Sequence, residues 1–147
     1  MARYLDSSWW GSRYLREPRA AWSQNALAGV ETSATSRLSR VEVASLIERA
    51  LRDRRLRPAP AAAAHRAFES DFIDCLVVEV TAEVIERAAD LVRRHVISGS
   101  DAVHLASALV LAEGLSEPVV FASLDARQRT AAAAEGFELS PAAADLG

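Results

Sequence analysis

Asp6, Glu42, Asp101 and Asp125 each stand where an extended run gives way to a helix or where a helix has just begun. Asp6 ends the short apolar stretch 3–6, Glu42 lies in the first turn of a helical segment, Asp101 opens another, and Asp125 follows the apolar run 118–123. In a parallel α/β sheet the carboxyl ends of strands and the amino ends of the following helices share one edge, where ligands bind. Four acids far apart in the chain are therefore expected in one cleft. Crowded carboxylates raise one another's pKa, and a divalent cation relieves the repulsion. Oxygen donors without histidine or cysteine select a hard ion, Mg²⁺ or Mn²⁺, that keeps several waters. One of those waters is a candidate nucleophile.

Each acid taken alone has a structural explanation. Asp6 and Asp125 suit helix N-caps, Asp101 suits the positive end of a helix dipole, and Ser39 with Glu42 matches a Ser-x-x-Glu capping box. Surface acids scatter over helix faces, however, whereas these four fall on one sheet edge, and that joint placement favours a site.

The elements that must position them follow from periodicity. Short apolar runs at 3–6, 76–80, 118–123 and 137–139 read as strands, the valine-rich 76–80 as a buried one, and the Thr- and Ser-rich 32–38 suits a further short strand. Helical spacing runs over 9–28 with a break at Glu17-Pro18, over 40–55 with Val43, Ala44, Ile47, Ala50 and Leu51 on one face, and over 61–72 after the break at Pro58 and Pro60. Thr81 caps a further helix, 101–113 forms another, and 126–135 ends at Gly136. Strands alternating with helices predict an α/β fold with a largely parallel sheet covered on both faces. Residues 1–140 are expected to form one domain, with 141–147 a frayed tail.

Composition narrows the chemistry. The 147 residues are 50% hydrophobic and 25% charged with a net charge of −3, which suits one globular domain and excludes a global positive field for nucleic acid. All 17 basic residues are arginine. The absence of lysine excludes Schiff-base enzymes, the Walker A lysine and phosphoaspartate chemistry that needs a lysine. Cys75 is the single cysteine, which excludes an internal disulfide and a cysteine-rich zinc cluster. No apolar run reaches the roughly 20 residues of a membrane helix, and the chain passes from Met1 straight into a strand without a secretory segment. A cytoplasmic protein is expected.

Tyr4-Leu5-Asp6-Ser7-Ser8, the stretch 35–42 (Thr-Ser-Arg-Leu-Ser-Arg-Val-Glu), Ser100-Asp101-Ala102-Val103-His104-Leu105-Ala106 and Phe121-Ala122-Ser123-Leu124-Asp125 resemble, in order, the four acidic motifs of the PIN-domain family. The similarity is closest to VapC-type toxins of bacterial toxin-antitoxin modules, and it covers nearly the whole chain. It implies a PIN-like three-layer α/β/α sandwich with a short, mainly parallel sheet. It also implies a metal-dependent endoribonuclease, the toxin of a type II module, inhibited by a cognate VapB-type antitoxin and assembled as a homodimer. Asp6, Glu42 and Asp101 match the core metal-site acids, Asp125 matches the more variable fourth, and Ser7 and Ser123 match positions that often carry a small hydroxyl. The implied reaction is phosphodiester hydrolysis that leaves a 5′-phosphate and a 3′-hydroxyl. An RNA-processing nuclease outside a toxin-antitoxin pair, or a noncatalytic PIN-like module that binds RNA or protein, are the alternatives.

The remaining residues have plainer readings. Trp9, Trp10 and Trp22 are read as core or interface residues, with stacking on RNA bases the alternative. Arg49, Arg52, Arg54, Arg55 and Arg57 form the densest basic segment, read as a solvated helix end. His104 is read as structural, and His65 and His95 lack zinc-ligand spacing.

Overall fold

The computed structural model describes residues 1–15 and 32–146. Trp22 and the second half of the expected 9–28 helical stretch lie outside them. Five parallel strands, β1 (Ala2–Leu5), β2 (Thr32–Ser36), β3 (Leu76–Val78), β4 (Val119–Ala122) and β5 (Glu138–Ser140), form one sheet in the order β3-β2-β1-β4-β5. Among the described residues six helices flank it: α1 (Ser7–Tyr14), α2 (Ser39–Arg52), α3 (Pro58–Ile73), α4 (Ala82–Arg94), α5 (Gly99–Gly114) and α6 (Ala126–Ala134).

The alternation of β1 divides the core. Ala2 and Tyr4 join Val84, Leu91, Leu105, Leu111 and Ala131 on the α4, α5 and α6 side. Leu5 joins Trp9, Trp10, Val43, Ile47 and Phe68 on the α1, α2 and α3 side. Successive strand residues point to opposite faces, so the expected three layers form with one central strand feeding both.

The sheet order also locates the cleft. β1 is hydrogen-bonded to β2 on one side and to β4 on the other, and the chain leaving β4 goes to β5, away from β1. The winding reverses between β1 and β4, and a crevice opens beyond their carboxyl ends at such a switch point. Asp6 follows β1 and Asp125 follows β4 by three residues.

Three local expectations are corrected. α3 begins at Pro58, before the presumed break, because proline in a first turn lacks an N–H that would have no helical partner there. β3 is a sheet edge, with Leu76 41% exposed and Val80, two residues beyond its end, 39% exposed; its valines reflect strand preference rather than burial on both faces. β2 ends at Ser36, whose hydroxyl accepts the Leu38 N–H at 3.1 Å and turns the chain toward α2. After β5, Pro141 is buried and its carbonyl accepts from Arg129 Nη2 at 2.6 Å, while residues 143–146 form a 3₁₀ turn.

Candidate active site

Asp6 is extended and caps α1, its Oδ1 accepting from Trp9 N at 3.1 Å and from Ser8 Oγ at 2.7 Å. Ser8 Oγ in turn accepts the Leu124 N–H at 2.9 Å and lies 3.2 Å from Ser123 Oγ. Ser123 Oγ accepts the Asp125 N–H at 3.1 Å. These bonds tie the loop after β1 to the loop after β4. Asp6 is 2% exposed. Burial pushes its carboxyl pKa up, against the opposing pull of Ser123, the charge of His104, Ser8 and the Trp9 N–H.

Asp125 caps α6, its Oδ1 accepting from Gln128 N at 2.8 Å. The buried Gln128 extends Nε2 to the Asp101 carbonyl oxygen at 2.8 Å, joining α6 to the first turn of α5. Ser98 caps α5 by accepting the Asp101 N–H at 3.2 Å. The Asp101 carboxyl is raised by burial and, beyond the opposing bond from Ser98, by the negative charge of Asp125. Those two acids are therefore electrostatic neighbours.

Glu42 arrives differently. The expected capping box does not form: Ser39 is buried with its Oγ 2.7 Å from Thr35 Oγ1, and Leu38 caps α2 without a side-chain bond. Glu42 Oε1 instead bonds His104 Nε2, and His104 Nδ1 lies 2.9 Å from the Tyr4 hydroxyl. His104 is fully buried. The histidine read as structural thus holds one of the four acids, Glu42.

Ser7 lines a cleft of about 320 Å³ with Val41, Glu42, Ser45, Leu46 and Arg49. The hydroxyl that bonds Asp6 belongs to Ser8, one residue later. The signal was available, since an N-cap carboxylate faces the second and third helical residues.

The donor chemistry fits a hard divalent cation. All four acids offer oxygen, and Asp6 and Asp101 are raised, so positive charge nearby would favour their ionised forms. Among the described residues no three His, Cys, Asp or Glu side chains converge closely enough to hold a metal ion. One oxygen of Glu42 is engaged by His104 and one oxygen of Asp125 by the Gln128 amide.

The other candidates separate cleanly. Trp9 and Trp10 are 0% and 1% exposed, packed edge to face at 4.9 Å, which leaves them no face for an RNA base. Arg49, Arg52, Arg54, Arg55 and Arg57 are exposed, and Arg49 borders the Glu42 cleft. His65 meets Glu48 at 2.9 Å and His95 lies 3.6 Å from Glu135.

Comparison with known proteins bears on the family and the fold. Residues 3–134 match the family described as PIN domain. Two curated relatives from strains of Mycobacterium tuberculosis, Ribonuclease VapC45 and Ribonuclease VapC49, are each 33% identical over 142 residues, 97% of this chain and 96% of theirs. The crystal structure of Mycobacterium tuberculosis VapC20, a Sarcin-Ricin loop cleaving toxin, superposes with a TM-score of 0.64 at 22% identity, covering 92% of this chain and 95% of that one. A toxin-antitoxin complex from Klebsiella pneumoniae gives 0.63 at 12% identity, covering 86% and 88%. At those identities the structural likeness speaks for the fold.

Proposed function

The chain belongs to the PIN-domain family, and we propose that it is a metal-dependent endoribonuclease, the toxin of a type II toxin-antitoxin module held inactive by a cognate VapB-type antitoxin. The observation that carries this reading is the edge itself: Asp6 and Asp125 cap helices on either side of the β1/β4 switch point, Asp101 neighbours Asp125, and Glu42 is turned inward by His104. Relatives named as VapC ribonucleases over nearly the whole chain support it.

Asp6, Glu42, Asp101 and Asp125 would hold a Mg²⁺ or Mn²⁺ ion. Such an ion, when bound, supplies an activated water and stabilises charge developing on the phosphate. Asp6 Oδ1 is oriented before any substrate arrives, by Ser8 and the Trp9 amide. Ser123 keeps Asp6 and the start of α6 in register, because its hydroxyl serves the first and receives the amide of Asp125. Ser7, which lines the Glu42 cleft with Arg49, would meet the RNA backbone. The chain acts in the cytoplasm as a homodimer that binds antitoxin.

The test is to incubate RNA with purified protein and Mg²⁺ or Mn²⁺ and sequence the ends. Cleavage with 5′-phosphate and 3′-hydroxyl products, abolished by Asp6→Asn or Asp101→Asn and by chelation, is expected. Cleavage that survives both substitutions refutes the site. Growth arrest on expression, relieved by the neighbouring antitoxin, separates a toxin from an RNA-processing nuclease, and absence of cleavage by the wild type favours the noncatalytic module.

A further inference from the structure

We propose that His104, backed by Tyr4, is the positioning residue for Glu42. The inference rests on the metal-nuclease reading above. Three elements from different parts of the chain meet in it: Tyr4 in β1, His104 in α5 and Glu42 in α2.

The hydrogen-bond chain assigns the protons. His104 Nε2 faces a carboxylate oxygen, which only accepts, so Nε2 carries a proton. The Tyr4 phenol is fully buried, its pKa is pushed well above the ordinary value by that burial, and it keeps its proton. Its hydroxyl lies 2.9 Å from Nδ1 and holds the ring from the side opposite Glu42.

The consequence falls on Glu42. Without a capping box its carboxylate is not held by its own helix turn, and the hydrogen bond described for it is to His104. Binding Oε1 to a fully buried ring fixes one oxygen and the side-chain torsions, leaving Oε2 as the ligating atom. Hydrogen-bond partners of metal ligands orient them and typically change metal affinity about 10- to 100-fold when removed.

The experiment is a cycle of His104→Leu, Glu42→Gln and the double variant, with Mn²⁺ affinity read from the free-ion electron paramagnetic resonance signal and thermal unfolding followed in parallel. His104→Leu is expected to weaken Mn²⁺ binding by about 10- to 100-fold, with the double variant no weaker than Glu42→Gln alone. His104→Gln, whose amide nitrogen reaches close to the place of Nε2, is expected to recover most of the affinity. Histidine nitrogen spectra of the metal-free wild type should show a proton on His104 Nε2. Should His104→Leu fail to fold, Tyr4→Phe in the same cycle reads the same coupling. Wild-type affinity in His104→Leu, additive losses in the cycle, or an Nε2 without a proton overturns the proposal while the nuclease reading stands. Failure of the wild type itself to bind Mn²⁺ removes both.

Discussion

Ser8 donates its hydroxyl proton to Asp6 Oδ1 at 2.7 Å while accepting the amide of Leu124 at 2.9 Å, so one side chain fastens two loops and orients a buried acid. Ser8→Ala strands the Leu124 N–H and removes a donor from Asp6, which should cost about 1–3 kcal/mol. Urea unfolding checks the stability, and RNA cleavage by the same preparation should fall with it.

The raised carboxyl of Asp6 predicts a pH dependence of fixed sign. Its folded pKa lies above the unfolded one, so between the two the native state binds more protons and stability falls as pH rises. Asp101 shifts in the same direction. Metal-free protein should therefore lose stability from the ordinary aspartate range, about pH 4, upward. Asp6→Asn should flatten part of that slope and be more stable than wild type at neutral pH, although inactive. Denaturant titrations across that range would contradict this if wild type gained on the variant as pH rose.

Trp10 is a core residue, its Nε1 donating to Thr35 Oγ1 at 3.2 Å and its ring edge to face with Phe68 at 5.1 Å. Trp10→Ala should cost about 3–5 kcal/mol. Trp10→Phe should cost less and leave RNA affinity unchanged in a binding titration, since no base stacks there.

Cys75 should be a slow nucleophile. Burial first, then the charges of Asp71 and Asp74, push its thiol up to about 12, so little thiolate exists at neutral pH. Alkylation of the native protein by iodoacetamide should be far slower than in urea, where the thiol returns to its ordinary range; equal rates in the two states would contradict the burial.

Features governed by a few neighbouring residues were legible in the chain. The caps Asp6, Thr81 and Asp125 and the stop at Gly136, which takes φ +95°, behave as their residue types require. The order of strands and helices follows from periodicity in the same local way. Burial of β3 and the break at Pro58 were misread, because an edge strand and a core strand share composition and because proline ends a helix or begins one according to its place in the turn.

From residue types and spacing alone, the chain determined four acids on one edge of a parallel sheet, since capping and strand-to-helix junctions are settled within a turn or two of chain. Which partner each acid takes was decided only by the tertiary structure. Thr35 draws Ser39 out of the capping box, and Tyr4 reaches His104 and through it Glu42, across sequence separations of 100 and 62 residues. The physical reason is that a buried hydrogen bond goes to the nearest polar group that packing supplies, and packing brings strand β1, helix α2 and helix α5 together only once the sheet has formed.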